Sequence, residues 1–106
     1  MPKYLIQANY VGDGLKGLLK EGGSRRRAAV EKLLGSVGGR VEVFYYAFGD
    51  TDAFVIVDVP DNVTAAALSL AINATAAVTV RITVLLTAEE IDAAAKKTLA
   101  YRPPGQ

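Results

Sequence analysis

The side chains able to do chemistry in this sequence are narrowed first by what is missing. There is no histidine and no cysteine. The usual general base near neutral pH, the soft metal ligands, thiolate chemistry and disulfides are therefore excluded. Three groups remain. Asp50 and Asp52 flank Thr51 behind Gly49. Paired carboxylates could hold a hard cation or act as acid and base. Aspartate and glycine are also ordinary turn residues, through local hydrogen bonds and free φ. No third ligand accompanies them, so we read a turn and no metal site. The second group is Ser24, Arg25, Arg26 and Arg27 at a predicted helix start. That end of the macrodipole disfavours cations, so a bound anion, or ion pairs with Glu21 and Glu31, must compensate. The third group is Gln7, Asn9, Phe44, Tyr46, Asp58 and Arg81, which strand alternation places on one sheet face.

The elements that position these groups follow from period and punctuation. Tyr4 to Tyr10 reads as a strand with Tyr4, Ile6, Ala8 and Tyr10 on one side. Asp13 offers an N-cap to a helix carrying Leu15, Leu18 and Leu19. Gly22-Gly23 breaks it, and Ser24 can cap a second helix with the stripe Ala29, Val30, Leu33, Leu34 and Val37. Arg40 to Phe48 and Ala53 to Val59 read as a hairpin joined by Gly49-Asp50-Thr51-Asp52. Strict alternation puts Val41, Val43 and Tyr45 on one face and Glu42, Phe44, Tyr46 and Phe48 on the other. Gly49 is the turn residue expected to need a positive φ. Ala65 to Ala74 is an alanine-rich helix and Val78 to Leu86 a strand. Thr87-Ala88-Glu89-Glu90 is a capping box opening a helix to about Leu99.

Strand, helix, hairpin, helix, strand, helix is the order of an α+β, ferredoxin-like split βαβ domain. The expected sheet is antiparallel and four-stranded, ordered 4-1-3-2, with helices on one face plus a C-terminal helix. Residues 1–106 make one domain. Apolar residues form 51% of the chain, which is high for a small monomer that must show water a polar surface. The uncovered face, with Phe44, Phe54 and Ile56, invites a second subunit, so a homo-oligomer in a dimeric α/β-barrel-like assembly is expected. The last helix could cover part of that face. A net charge of +1 gives no field for nucleic acid or an anionic membrane. The uncharged run from Val63 to Val80 is too often interrupted by Thr, Ser and Asn to span a bilayer. Met1-Pro2-Lys3-Tyr4 lacks the order of a signal peptide, so a cytoplasmic location is the default.

Several runs carry a resemblance. They are Met1-Pro2-Lys3-Tyr4-Leu5-Ile6-Gln7-Ala8, Lys20-Glu21-Gly22-Gly23-Ser24, Arg26 to Lys32, Phe44-Tyr45-Tyr46-Ala47-Phe48-Gly49-Asp50, and Thr87 to Ala94. In these the chain resembles the GYD domain family of small bacterial proteins over nearly its whole length. The family's Gly-Tyr-Asp signature corresponds to Gly49-Asp50-Thr51-Asp52, with Thr51 where the tyrosine is expected. The resemblance implies an α+β, oligomeric, ferredoxin-like fold and no established activity or cofactor. The resulting expectation is a non-catalytic oligomeric or small-ligand-binding module, its ligand on the Gln7, Asn9, Phe44, Tyr46, Asp58 and Arg81 face. The alternative is a cofactor-independent enzyme of monooxygenase or isomerase type, using Asp58, Tyr46 or Arg81 there.

Overall fold

The first strand, β1 (Lys3–Tyr10), sets the frame. Its residues alternate without a break: Tyr4, Ile6, Ala8 and Tyr10 are buried, while Lys3, Leu5, Gln7 and Asn9 stay partly open. In a computed structural model of residues 1–106, β1 is followed by α1 (Asp13–Glu21), α2 (Gly23–Ser36), β2 (Arg40–Tyr46), β3 (Ala53–Asp58), α3 (Asn62–Ala74), β4 (Val78–Leu85) and α4 (Ala88–Ala95). The sheet order is β2-β3-β1-β4, with every neighbouring pair antiparallel. The fold is therefore α+β with an open four-stranded antiparallel sheet, in the strand order the sequence predicts. No helix is long and apolar enough to cross a membrane.

The core lies on one side only. Tyr4, Ile6, Ala8 and Tyr10 of β1, Ala53, Val55 and Val57 of β3, and Val78 and Val80 of β4 pack under Leu34 of α2 and Ala65 and Leu68 of α3. Val57 is fully buried, worth roughly 1.5–3 kcal/mol against exposure. The Tyr4 hydroxyl donates to Asn62 Oδ1 at 2.5 Å, giving that buried ring a polar partner where α3 begins. Asp61 caps α3 by accepting from the Thr64 amide at 2.8 Å.

Two cap assignments change. Asp13 and Ser24 lie inside α1 and α2, whose cap positions are Gly12 and Gly22. Both glycines have positive φ, 51° and 88°. One glycine thus makes the break between the helices: the Gly22 amide donates to Leu18 O at 2.8 Å, and Gly22 O accepts from the Arg26 amide at 3.2 Å.

The second correction concerns β2. Val41 opposes Val57, but Val43 opposes Ile56, so Glu42 is an extra residue in the ladder. A bulge of this kind inverts the side-chain alternation beyond it. Phe44 then lies beside Val55 and Tyr46 beside Ala53, on the helix side, while Val43 and Tyr45 turn to the open side. The alternation expected for Phe44, Tyr46, Val43 and Tyr45 is thus reversed. β2 and β3 also end earlier than expected, at Tyr46 and Asp58, so a six-residue loop, residues 47–52, replaces the tight turn.

The C-terminal part departs furthest from expectation. The capping box of α4 is formed, with the Glu90 amide on Thr87 Oγ1 at 3.0 Å and the Thr87 amide on Glu90 Oε1 at 2.9 Å. The helix stops at Ala95 rather than near Leu99, and every residue from Leu86 to Gln106 is exposed. α4 does not cover the chain's own sheet. It projects from the body, giving extents of 56 × 33 × 23 Å and a radius of gyration of 16.9 Å, against about 13 Å for a compact chain of this length.

Glycine substitutions test this packing. A Cβ on Gly14 would collide with the Ala77 carbonyl, which is backbone and cannot rotate away. Gly14→Ala is expected to cost ~1–3 kcal/mol in urea unfolding, as overpacking does. Gly49, contrary to expectation, has no positive φ, and a Cβ there meets nothing within 4 Å. Gly49→Val is expected to stay within about 0.5 kcal/mol of the parent, as a surface change does.

Candidate functional site

The open side of the sheet holds Gln7, Asn9, Asp58 and Arg81, as the alternation of β1, β3 and β4 requires. Gln7 lies between Phe54 and Arg81 in the ladder. Arg81 donates from Nη2 to Thr51 Oγ1 at 3.2 Å, and Asn9 donates from Nδ2 to Asp50 O at 2.7 Å. Both side chains thus tie the 47–52 loop to the strands. Thr51, standing where the signature tyrosine was expected, is buried. Asp58 sits at the far end of the face. Lys3 Nζ lies 2.9 Å from its Oδ1 and Arg40 Nε 2.8 Å from its Oδ2, while Lys3 also bonds Glu42 Oε2 at 2.5 Å. The Lys3 hydrogen bond, with the charges of Lys3 and Arg40, holds the Asp58 carboxyl below the ordinary aspartate range. Lys3 is raised in turn, first by Glu42 and then by Asp58. None of Gln7, Asn9, Asp58 and Arg81 lines a cavity.

Phe44 and Tyr46 belong to the other side. Their rings meet edge to face, centroids 5.0 Å apart at 64°. The Tyr46 hydroxyl donates to Gly23 O at 3.0 Å, which anchors the start of α2 to β2. Burial of that hydroxyl end, then the neighbouring Tyr10 phenol, pushes the Tyr46 pKa up to about 12. Asp58, Tyr46 and Arg81, the residues an enzyme of the alternative kind would use, therefore occupy three separate settings.

One concave feature of the molecule lies between sheet and helices. An internal cavity of about 40 Å³ is lined by fourteen residues, thirteen of them apolar. They include Ala8, Phe44, Val55, Leu68 and Val80; the fourteenth is Arg26. A groove of about 450 Å³ between α1, α2 and α3 adjoins it and shares Tyr10, Arg26, Leu33, Ile72 and Val78. Arg26 Nε is shut off from solvent and has no hydrogen-bond partner. The sequence contains a signal for this placement: Arg26 lies four residues before Val30, on the same helix stripe as Leu33 and Val37.

The cluster from Ser24 to Arg27 does not converge. Ser24 and Arg25 are exposed, Arg26 turns inward, and Arg27 Nε lies 3.8 Å from Glu31 Oε1 in a half-exposed pair. That pair contributes little. Glu21 is within ion-pair distance of none of the arginines. Asp50 and Asp52 gather no third acidic group. Instead Asp52 Oδ2 accepts the Tyr10 amide at 2.9 Å, and the Asp52 amide donates to Ala8 O at 2.9 Å, which pins the loop to the end of β1.

The contacts of Asp52, Asp58 and Tyr46 can each be tested by substitution. Asp52→Ala strands the Tyr10 amide and is expected to cost ~1–3 kcal/mol, whereas Asp52→Asn keeps an acceptor and should cost less. A carboxyl whose folded pKa is depressed contributes stability above its unfolded value, near 4, and loses it as pH falls through the folded value. Asp58 and the helix cap Asp61, lowered by the Thr64 amide, both act in that window. Melting temperature should therefore drop below about pH 4, and Asp58→Asn should flatten part of that drop. Tyr46 acts oppositely: its contribution is whole below about pH 10 and is lost as pH rises through 12. Tyr46→Phe should remove that alkaline loss in thermal melts.

No curated protein and no solved structure matches the chain. The sequence profile of the GYD domain matches residues 4–95, from the second residue of β1 to the last residue of α4. The match takes in all four helices and every strand residue but Lys3, and on it the chain belongs to the GYD domain family.

Proposed function

We propose that this protein is a non-catalytic module that works as a homo-oligomer. Two copies pack their open sheet faces in a barrel-like pair, and each copy's α4 lies on the other. The observation that carries this reading is α4 itself. It is a capped helix inside the family's matched span, yet its own chain buries none of its residues. Its apolar stripe of Ile91, Ala94 and Ala95 is left in water, with Leu99 and Tyr101 beyond it. The open face carries Tyr45 and Phe54 exposed and Leu5, Val43, Ile56 and Leu85 half-covered. These two apolar surfaces cannot meet within one chain, because α4 projects away. They can meet between two copies related by a two-fold axis, where each supplies what the other lacks.

The strand order supports a ferredoxin-like arrangement. β1 runs parallel to β2, and β3 parallel to β4, each through an intervening antiparallel strand and with helices in the connection. The settings of Asp58, Tyr46 and Arg81 favour a non-catalytic role. Asp58 is held ionised by two cations, which makes it a poor proton acceptor.

Light scattering on the 11.2 kDa chain at micromolar concentration is expected to give a multiple of that mass. Phe54 is already reached by solvent in the single chain, so Phe54→Glu should leave the circular dichroism spectrum intact. It should weaken association by roughly 2–3 kcal/mol, a thirtyfold or larger rise in dissociation constant, because a carboxylate would enter an apolar interface. Truncation after Thr87 should have a similar effect. A monomer mass for the parent chain would overturn the proposal.

A further inference from the structure

We propose that the cavity between the sheet and α2 is a binding site for a small organic monocarboxylate, with the carboxylate on Arg26 and the apolar body among the core side chains. The site lies on the helix side, away from the surfaces proposed for assembly, and does not depend on them.

Arg26 Nε is a charged donor without solvent and without an acceptor. Its sequence neighbours Arg25 and Arg27 are exposed on the same helix. A buried donor of a charged group left unmatched is among the expensive features a fold can carry. No protein group completes it: Nε has no hydrogen-bond partner, the Tyr46 hydroxyl gives its proton to Gly23 O and does not accept from Arg26, Asp52 Oδ2 holds the Tyr10 amide, and no carboxylate lies within ion-pair distance of Arg26.

The chemistry of the missing partner can be read from the walls. Among the fourteen lining residues only Tyr10 and Arg26 carry a hydrogen-bonding side-chain atom. Both also line the adjoining groove, so the polar corner sits where cavity and groove join. A water in the cavity would need two to four polar partners, and that single corner is poor in them. A phosphate or sulfate would press several charged oxygens against valine and leucine. A carboxylate matches one guanidinium edge and ends there. The rest of the ligand must then be apolar. The internal volume of about 40 Å³ takes a short chain, and the groove of about 450 Å³ gives a longer one a way out past Leu33 and Ile72.

Butyrate and its neutral isostere butyramide separate this reading from general anion or solvent effects. With the full-length chain at constant ionic strength, butyrate is expected to bind saturably and to shift the methyl resonances of Ala8, Val55 and Leu68. Butyramide should bind at least tenfold more weakly. Arg26→Gln should weaken butyrate at least tenfold. Val30→Phe, which fills the cavity from α2 and leaves Arg26 in place, should weaken it likewise and decides the matter if Arg26→Gln does not fold. Equal binding of acid and amide would overturn the proposal. So would unchanged affinity in a folded Arg26→Gln or Val30→Phe chain, no saturable butyrate binding, or butyrate shifts confined to the exposed surface around Arg25 and Arg27. The mass measured by light scattering is a separate readout, so failure here leaves the assembly proposal standing.

Discussion

The extra residue at Glu42 decides what each face of the sheet is. Before it, Val41 looks toward the helices; after it, Phe44 and Tyr46 do. Without the bulge, Val43 and Tyr45 would be the ones turned inward. Tyr46 could then not reach Gly23, and Phe44 could not close the wall of the cavity. A bulge sharpens local twist and leaves one residue unpaired. Glu42 uses that freedom to reach Lys3 across the intervening strand, and Lys3 holds Asp58 on the way. A four-residue ion cluster of Lys3, Arg40, Glu42 and Asp58 thus spans β1, β3 and β2 at the end of the sheet where the extra residue enters. Asp58 is the buried member: Lys3 hydrogen-bonds its Oδ1, while Arg40 Nε lies 2.8 Å from Oδ2 as an ion pair without hydrogen-bond alignment.

This also explains what the sequence could and could not say. The element order, the strand order and the capping box at Thr87 and Glu90 are written in local patterns and are all present. The face of β2 is not. From Val43 to Tyr46 every side chain is aliphatic or aromatic, so a period-two reading has no charged residue to anchor it, and a single slip reverses it. β1 shows the contrast, because Lys3, Gln7 and Asn9 mark its open side and no slip goes unseen. The loop after β2 failed for another reason. Glycine at a hairpin suggests a strained turn, but residues 47–52 are long enough to need none. Their shape is held from outside, by Arg81 on Thr51, Asn9 on Asp50 and the Tyr10 amide on Asp52. Such bonds join residues some thirty to forty positions apart, and no local pattern encodes them.

Helix α4 separates existence from destination. Its start is fixed by a reciprocal pair of side-chain bonds three residues apart, which is local and legible. Where a helix docks depends on which complementary surface is free, and that is a property of the assembled sheet. The chain's own open face is apolar, but α4 leaves β4 in a direction that carries it past the body. Eight helical residues are too few to be stable in water on propensity alone. The proposed pairing of two copies would give the apolar excess in the composition and the detached helix one cause.

The run Arg25-Arg26-Arg27 shows how a helix divides a cluster. Read along the chain it is one basic patch and suggests one anion. On an α-helix successive residues point about 100° apart, so three neighbours face three environments. Arg25 goes to water, Arg27 lies one turn from Glu31, and Arg26 falls on the stripe of Val30, Leu33 and Val37 that must face the sheet. An aliphatic residue at position 26 would satisfy that stripe more cheaply, since it would bury no donor. Arginine there fits if part of the interior is meant to be charged. The stem packs along the apolar wall as long basic side chains do, and the guanidinium marks the junction of cavity and groove. The same position that costs the folded chain an unmatched donor is where the proposed carboxylate would be held.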